Sequence, residues 1–249
     1  MSAIFKREFK SYFTTPVGYI VLTVLWFFLG FFFTIFYAAG SPEISGIISA
    51  SSIMVVFIIP ILTMRLMSDD RRQKVDQVLL TSPVKLSGIV LGKFFAALAV
   101  YALGFAPTVI FEIIFASYVG VNVMSYLYAL LGMLLLGGAL IAIGIFISSL
   151  TESASVAAIL SLCVNFLSLY ITTLVSNITV PEGSEGFFGK IWEKIVGAFV
   201  LCLEKVAFIE ASANFFENMF SIADIVYFLS IIAAFIFLSV RSLEKRRWS

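Results

Sequence analysis

The sequence predicts an all-α membrane protein with six transmembrane helices. Of 249 residues, 61% are hydrophobic and only 12% charged, with a mean hydropathy of +1.08. A water-soluble domain of this length would need far more polar surface around its core. The apolar residues also fall into long runs of spanning length, without the alternation of a transmembrane barrel. Finally, the cations are gathered: thirteen of the sixteen Lys and Arg residues fall on one side of six alternating spans. Positive charge collects on the cytoplasmic face, so both termini are expected in the cytoplasm. The whole chain, 1–249, reads as a single transmembrane domain without internal repeats.

Met1 to Thr15 is a short basic segment with Ile4, Phe5, Phe9, Tyr12 and Phe13 on one helical face. Such an amphipathic helix is expected to lie in the membrane interface, its cations near lipid head groups. Val17 to Ala39 is the first span, too long and too aromatic for a signal peptide and so read as an uncleaved anchor. Ser41-Pro42-Glu43 is a turn, and Gly46 to Met64 a second span of about 28 Å. Phe94 to Ser117 is the third span, which Pro107 should kink. Tyr126 to Leu150 is the fourth span, with Gly132, Gly137, Gly138 and Gly144 allowing close helix approach. After an inner turn at Ser148–Ser153, Ala154 to Ile178 is the fifth span. The sixth runs from Asp224, or from near Ile222, to Val240 and ends in Arg241, Lys245, Arg246 and Arg247.

The connection from Thr179 to Ala223 is neither span nor soluble loop. Its apolar run Ile195–Leu203 would reach only about 14 Å as a helix, half a bilayer. A water-exposed loop would leave Phe199, Leu201, Phe208, Phe215 and Phe216 unburied. Two short re-entrant helices satisfy both constraints, since backbone within lipid must be hydrogen-bonded. Lys190, Lys194, Glu204 and Lys205 would hold their ends at the head groups. An interfacial helix lying flat is the alternative.

Several chemistries lack their residues. The chain has no histidine, which removes Ser-His hydrolysis and His-ligated metals. Its two cysteines, Cys163 and Cys202, lie in apolar runs and suggest no disulfide framework. Gly88 to Phe94 superficially resembles a phosphate loop. It is one residue short, with Phe94 where a Ser or Thr would hold Mg²⁺. No pair of intramembrane aspartates offers an aspartyl protease. The candidate intramembrane polar residues are Glu112, in the third span, and Asn165, in the fifth. An intramembrane carboxylate invites a transport role. Placed about 28 Å beyond Lys93, however, Glu112 would sit near the outer interface at little cost. For Asn165 an interhelical hydrogen bond is the favoured reading.

The main water-facing stretch is Pro60 to Phe94. Its middle reads as a helix over 68–81, with Ser68 as N-cap, Asp69 and Asp70 in the first turn and an Asp70–Lys74 pair. Val75, Val78 and Leu79 share a face that wants a partner, and Ser82-Pro83 ends the helix. The bland reading is a solvated loop; the sharper one is a docking helix for a cytoplasmic protein.

The residues of this stretch resemble the cytoplasmic loop of type-2 ABC exporter permeases. The match comprises Pro60, Leu62, Thr63, Met64 and Arg65, then Asp69, Asp70 and Arg71. Leu79, Leu80, Thr81, Pro83 and Val84 follow, and Gly92, Lys93 and Phe94 close it. The family usually has Glu-Glu at the acidic pair. The inner turn from Ser148 to Ala158 is also similar to this family. The tail, Tyr227 to Ser230 followed by Ser242 to Trp248, resembles its gliding-motility-type branch.

The resemblance implies a permease in the bacterial plasma membrane that moves substrate outward with energy from a separate ABC ATPase dimer. ATP and Mg²⁺ would be bound by that partner, no cofactor by this chain, and nucleic acid has no part. Asp69, Asp70, Arg71, Arg72, Val75, Val78 and Leu79 would form the ATPase-coupling surface. A second permease, identical or homologous, would meet the first and fifth spans, aided by Ser161, Asn165 and Ser168. An auxiliary protein accompanies some members, and the re-entrant helices close the exit. The competing classes are a secondary transporter, weakened by having Glu112 and little else in the spans, and a membrane scaffold with no ATPase partner.

Overall fold

The computed structural model describes residues 2–40, 43–72, 85–119, 123–176, 208–217, 219 and 221–247. Every regular element among them is helical: α1 (Ser2–Thr14), α2 (Pro16–Ala38), α3 (Ile44–Thr63), α4 (Arg65–Arg72), α5 (Leu86–Gly104), α6 (Ala106–Val119), α7 (Val123–Leu150), α8 (Ala154–Ser176), α9 (Phe208–Ala211), α10 (Ala213–Phe216) and α11 (Ile222–Arg247). Six are long and apolar enough to cross a membrane when α3 is taken with α4 and α5 with α6. The all-α, six-span architecture expected from the sequence is therefore present.

Local chemistry sets the boundaries. Thr15 is extended, and Pro16 opens α2 where its missing N–H costs nothing. Gly40, at φ +68°, takes the left-handed conformation that ends α2. Pro107 does more than kink the third span: the helix breaks at Phe105, giving α5 and α6. That span also begins eight residues before the expected Phe94, so Lys93 lies inside α5 and not at its entrance. The reason is that Leu86, Ile89 and Val90 are all buried, so packing carries the helix back to Leu86.

Helix α7 is the centre of the bundle and packs against α3, α4, α5, α8, α10 and α11. Its small residues permit this. A Cβ at Gly137 would strike the Tyr101 ring, one at Gly144 would strike Thr63, and one at Gly132 would come within 2.5 Å of Phe215. Tyr101 is locked in place by donating to the Met133 carbonyl at 2.9 Å.

On α8, Ser161, Asn165 and Ser168 are all buried within the chain. Asn165 Nδ2 donates to the Val56 carbonyl at 3.4 Å. Val56 stands four residues before Pro60, which has no N–H to give it, so α8 supplies the donor that α3 lacks. Ser168 Oγ accepts from the Phe208 N–H at 3.1 Å. The expectation that these three residues face a second protomer is therefore corrected: all three are buried within one chain, Asn165 and Ser168 bond inside it, and Ser161 Oγ has no hydrogen-bond partner among the described residues. The outward face of α8 is apolar, with Ile159, Phe166, Leu167 and Tyr170.

Of the connection between the fifth and sixth spans, α9 and α10 are described. Phe208 and Phe215 are buried, Phe215 against α7. The apolar run 195–203, with Lys190, Lys194, Glu204 and Lys205, lies outside the described residues.

Candidate functional site

The second span does not stop at the membrane edge. A one-residue turn at Met64 joins α3 to α4. Ser68 is consequently inside a helix and cannot be its N-cap. It is fully buried, and its hydroxyl bonds back to the Met64 carbonyl. Asp69 and Asp70 accordingly occupy the second turn of α4, not the first.

The first turn of α4 is capped from another helix. Ser148 Oγ, near the end of α7, accepts from the backbone N–H groups of Met67 and Ser68, both at 3.1 Å. It donates to the Met64 carbonyl, also at 3.1 Å. One buried hydroxyl thus serves backbone donors that a helix start leaves open.

On the next turn, Asp70 turns inward. Lys93 of α5 is 1% exposed, and its ammonium lies 2.6 Å from Asp70 Oδ2 and 3.1 Å from Glu8 Oε1. It also donates to the Leu66 carbonyl. Two hydrogen bonds, to Glu8 and the Leu66 carbonyl, and the close ion pair with Asp70 surround the ammonium, and it is such pairing that lets a buried charge be tolerated. Arg7 completes the cluster, 2.6 Å from Glu8 and 3.7 Å from Asp70. Two cations and two carboxylates balance.

Helix α1 reaches this cluster because it folds back along α5. Tyr12 anchors it by donating to the Leu62 carbonyl at 2.8 Å. Burial raises the Tyr12 phenol pKa well above its usual value, and neighbouring Glu8 acts in the same direction, so the donor stays protonated. A polar cleft of about 360 Å³ lies beside it, lined by Arg7, Ser11, Arg65 and Asp69 among others.

Arg71 faces a fourth direction. It pairs with Glu152 at 2.6 Å and donates to the Leu150 carbonyl at 3.0 Å, tying α4 to the turn between α7 and α8. Arg72 is exposed. Val75, Val78 and Leu79, with Lys74, lie outside the described residues. The candidate residues thus divide: Asp70 and Arg71 brace the fold, Asp69 lines the cleft, and Arg72 faces outward. Glu112 is half-buried on α6. Asn165 serves the broken backbone of α3.

Sequence reading missed Glu8. Its signal was present, because Glu8 stands four residues from both Ile4 and Tyr12 and so shares their apolar face. A carboxylate there needs a cation, and Lys93, read as part of a Gly-Lys-Phe match and as a marker of the inner interface, supplies it.

A family model described as ABC-2 family transporter protein matches residues 41–241. The chain belongs to that family: it is a multi-pass membrane protein and a permease component of an ABC transporter. A search of curated proteins finds no match.

Proposed function

We propose that this chain is the membrane-spanning subunit of a type-2 exporter of the gliding-motility-type branch, driven by a separate ABC ATPase docked at and beyond α4. The supporting observation is the four-way bracing of α4: to α5 through Lys93, to α1 through Glu8 and Arg7, to α7 through Ser148 and to the α8 entrance through Arg71. A loop that only connects two spans has no need of such bonds. A lever that passes motion from a nucleotide-driven partner to the spans does. Asp69 and Arg72, with Val75, Val78 and Leu79 further along, form the contact surface in this reading, and Asp70 belongs to the transmission.

The same reading places the termini and α4 in the bacterial cytoplasm, with α1 at the lipid interface and the connection around α9 and α10 as a re-entrant lid. A second permease would sit against α2 and α8, whose outward faces are broad and apolar. ATP and Mg²⁺ stay with the ATPase, and an auxiliary protein, found with some members of the branch, is a further candidate partner.

Co-expression with a candidate ABC ATPase from the same genome tests the proposal. The Asp69→Lys, Arg72→Glu double variant should lose the complex on purification. Asp70→Asn should keep the complex but lose permease-dependent stimulation of ATP hydrolysis in proteoliposomes. If both variants assemble and stimulate as the parent does, α4 is not the coupling element.

A further inference from the structure

Apart from the cleft beside α4, the described residues enclose a cavity of about 1020 Å³ that shares no lining residue with the α4 brace. Its walls are α5 and α11 and its floor is α7; no residue of α2 or α8 lines it. It therefore stays open when a second copy occupies those two helices. The lining is almost wholly hydrocarbon, with Leu91, Phe95, Leu131, Ile232 and Phe237 typical. In a membrane-spanning bundle such a groove opens onto lipid, where water does not fill it.

The two walls run together from Ser87 to Leu98 on α5 and from Val240 back to Leu229 on α11. At 1.5 Å per residue that is about 16 Å, and the floor on α7 runs about 21 Å from Met124 to Gly138, between the depth of one leaflet and the full hydrocarbon core of about 30 Å. A spanning helix is about 30 Å long, longer than the groove along any of its three helices. Acyl chains of a single leaflet suit these dimensions better than a partner helix.

The ends of the groove differ. At the Ser87–Val240 end, Arg241 follows directly on the lining residue Val240. Its guanidinium sits 5.1 Å above the ring of Phe237, itself a lining residue, and is steadied by Glu244 at 2.8 Å. Lys245 stands one turn further along α11 and Lys85 just before α5, both exposed. Ser87 brings a hydroxyl to the same mouth. Three cations and a hydroxyl against one carboxylate complement a phosphate, and basic pockets between helices at the membrane surface are where anionic head groups bind.

We propose that the α5–α7–α11 groove is a binding site for an anionic phospholipid, its acyl chains against α7 and its phosphate at Arg241. The site stands whether or not α4 couples to an ATPase.

The test uses the full chain purified in mild detergent and titrated, under native mass spectrometry, with dioleoyl phosphatidylglycerol or dioleoyl phosphatidylcholine. The parent should bind one phosphatidylglycerol at least fivefold more tightly than phosphatidylcholine. Arg241→Gln should erase that preference. Ala233→Trp, which fills the groove, should weaken both lipids at least tenfold at unchanged helix content and elution volume. Because Arg241 is exposed, its variant keeps the test decisive even if Ala233→Trp fails to fold. Equal binding of the two lipids by the parent overturns the proposal, as does an undiminished preference in Arg241→Gln. A parent dimer that Ala233→Trp converts to monomer would show that a second copy fills the groove, and overturns it too.

Discussion

Helices α2 and α7 are almost equally apolar, with mean hydropathies of 2.3 and 2.6 over their richest stretches. Yet 17% of that stretch is buried in α2 and 72% in α7. In water the greasier surface goes inside; in lipid both environments are hydrocarbon, and that rule loses its force. Close approach decides instead. Helix α2 turns Trp26, Phe27 and Phe31 outward, whereas α7 places Gly137, Ala139, Ala142, Gly144 and Ser148 among its neighbours.

A pair of glycines tests this contrast most directly. Gly30 of α2 has open space where a Cβ would stand, while Gly137 and Gly144 of α7 do not. Tyr101 cannot swing away from Gly137 without losing its hydrogen bond, and Thr63 is held by its bond to the Ile59 carbonyl at 2.9 Å. Gly137→Ala and Gly144→Ala should each cost about 2–3 kcal/mol by overpacking. Gly30→Ala should gain a fraction of a kcal/mol from helix propensity, on the order of 0.5. Reversible unfolding in mixed micelles with SDS measures all three; near-equal values would sink the close-approach account.

Similar in size, and sharper on the brace, is the Glu8→Gln, Asp70→Asn double variant. It leaves the Lys93 ammonium buried without a counter-charge, which should cost about 3 kcal/mol. Adding Lys93→Met should restore most of that loss, because the buried charge then goes with its partners. Failure of the triple variant to recover, by the same unfolding measurement, would mean the cluster acts through packing and not through charge.

Smallest is Ser148→Ala, on the α7 end that touches α4. Loss of a cap serving two N–H groups should cost about 1–2 kcal/mol. Hydrogen exchange at Met67 and Ser68 should accelerate while the middle of α7 stays protected. Unchanged exchange at those two amides would remove Ser148 from the brace.

Much of the fold was legible in the sequence, because spanning length and hydropathy are one-dimensional properties. Charge and the Met64–Arg65 motif likewise marked the right stretch for the candidate site. Its internal geometry was not legible. Ser68 before two aspartates is a sound N-cap signal, and it failed because α3 continues into α4 and buries Ser68 against α7. Asp70 pairs with Lys93, twenty-three residues on in sequence, and the Glu8 that completes the pair lies on a helix read as purely basic. Local spacing cannot report partners brought in by folding back.

By itself, then, the sequence determined how many times the chain crosses the membrane, where its charges gather and which family it resembles. These depend on apolar length and on charge placement, which no fold rearranges. Only the tertiary structure decided which apolar faces turn inward, that Asn165 supplies the donor Pro60 withholds from Val56, and that Asp70 looks into the bundle. Those outcomes depend on which backbones approach within hydrogen-bond reach, and in a chain this uniformly apolar, hydropathy is nearly silent about that.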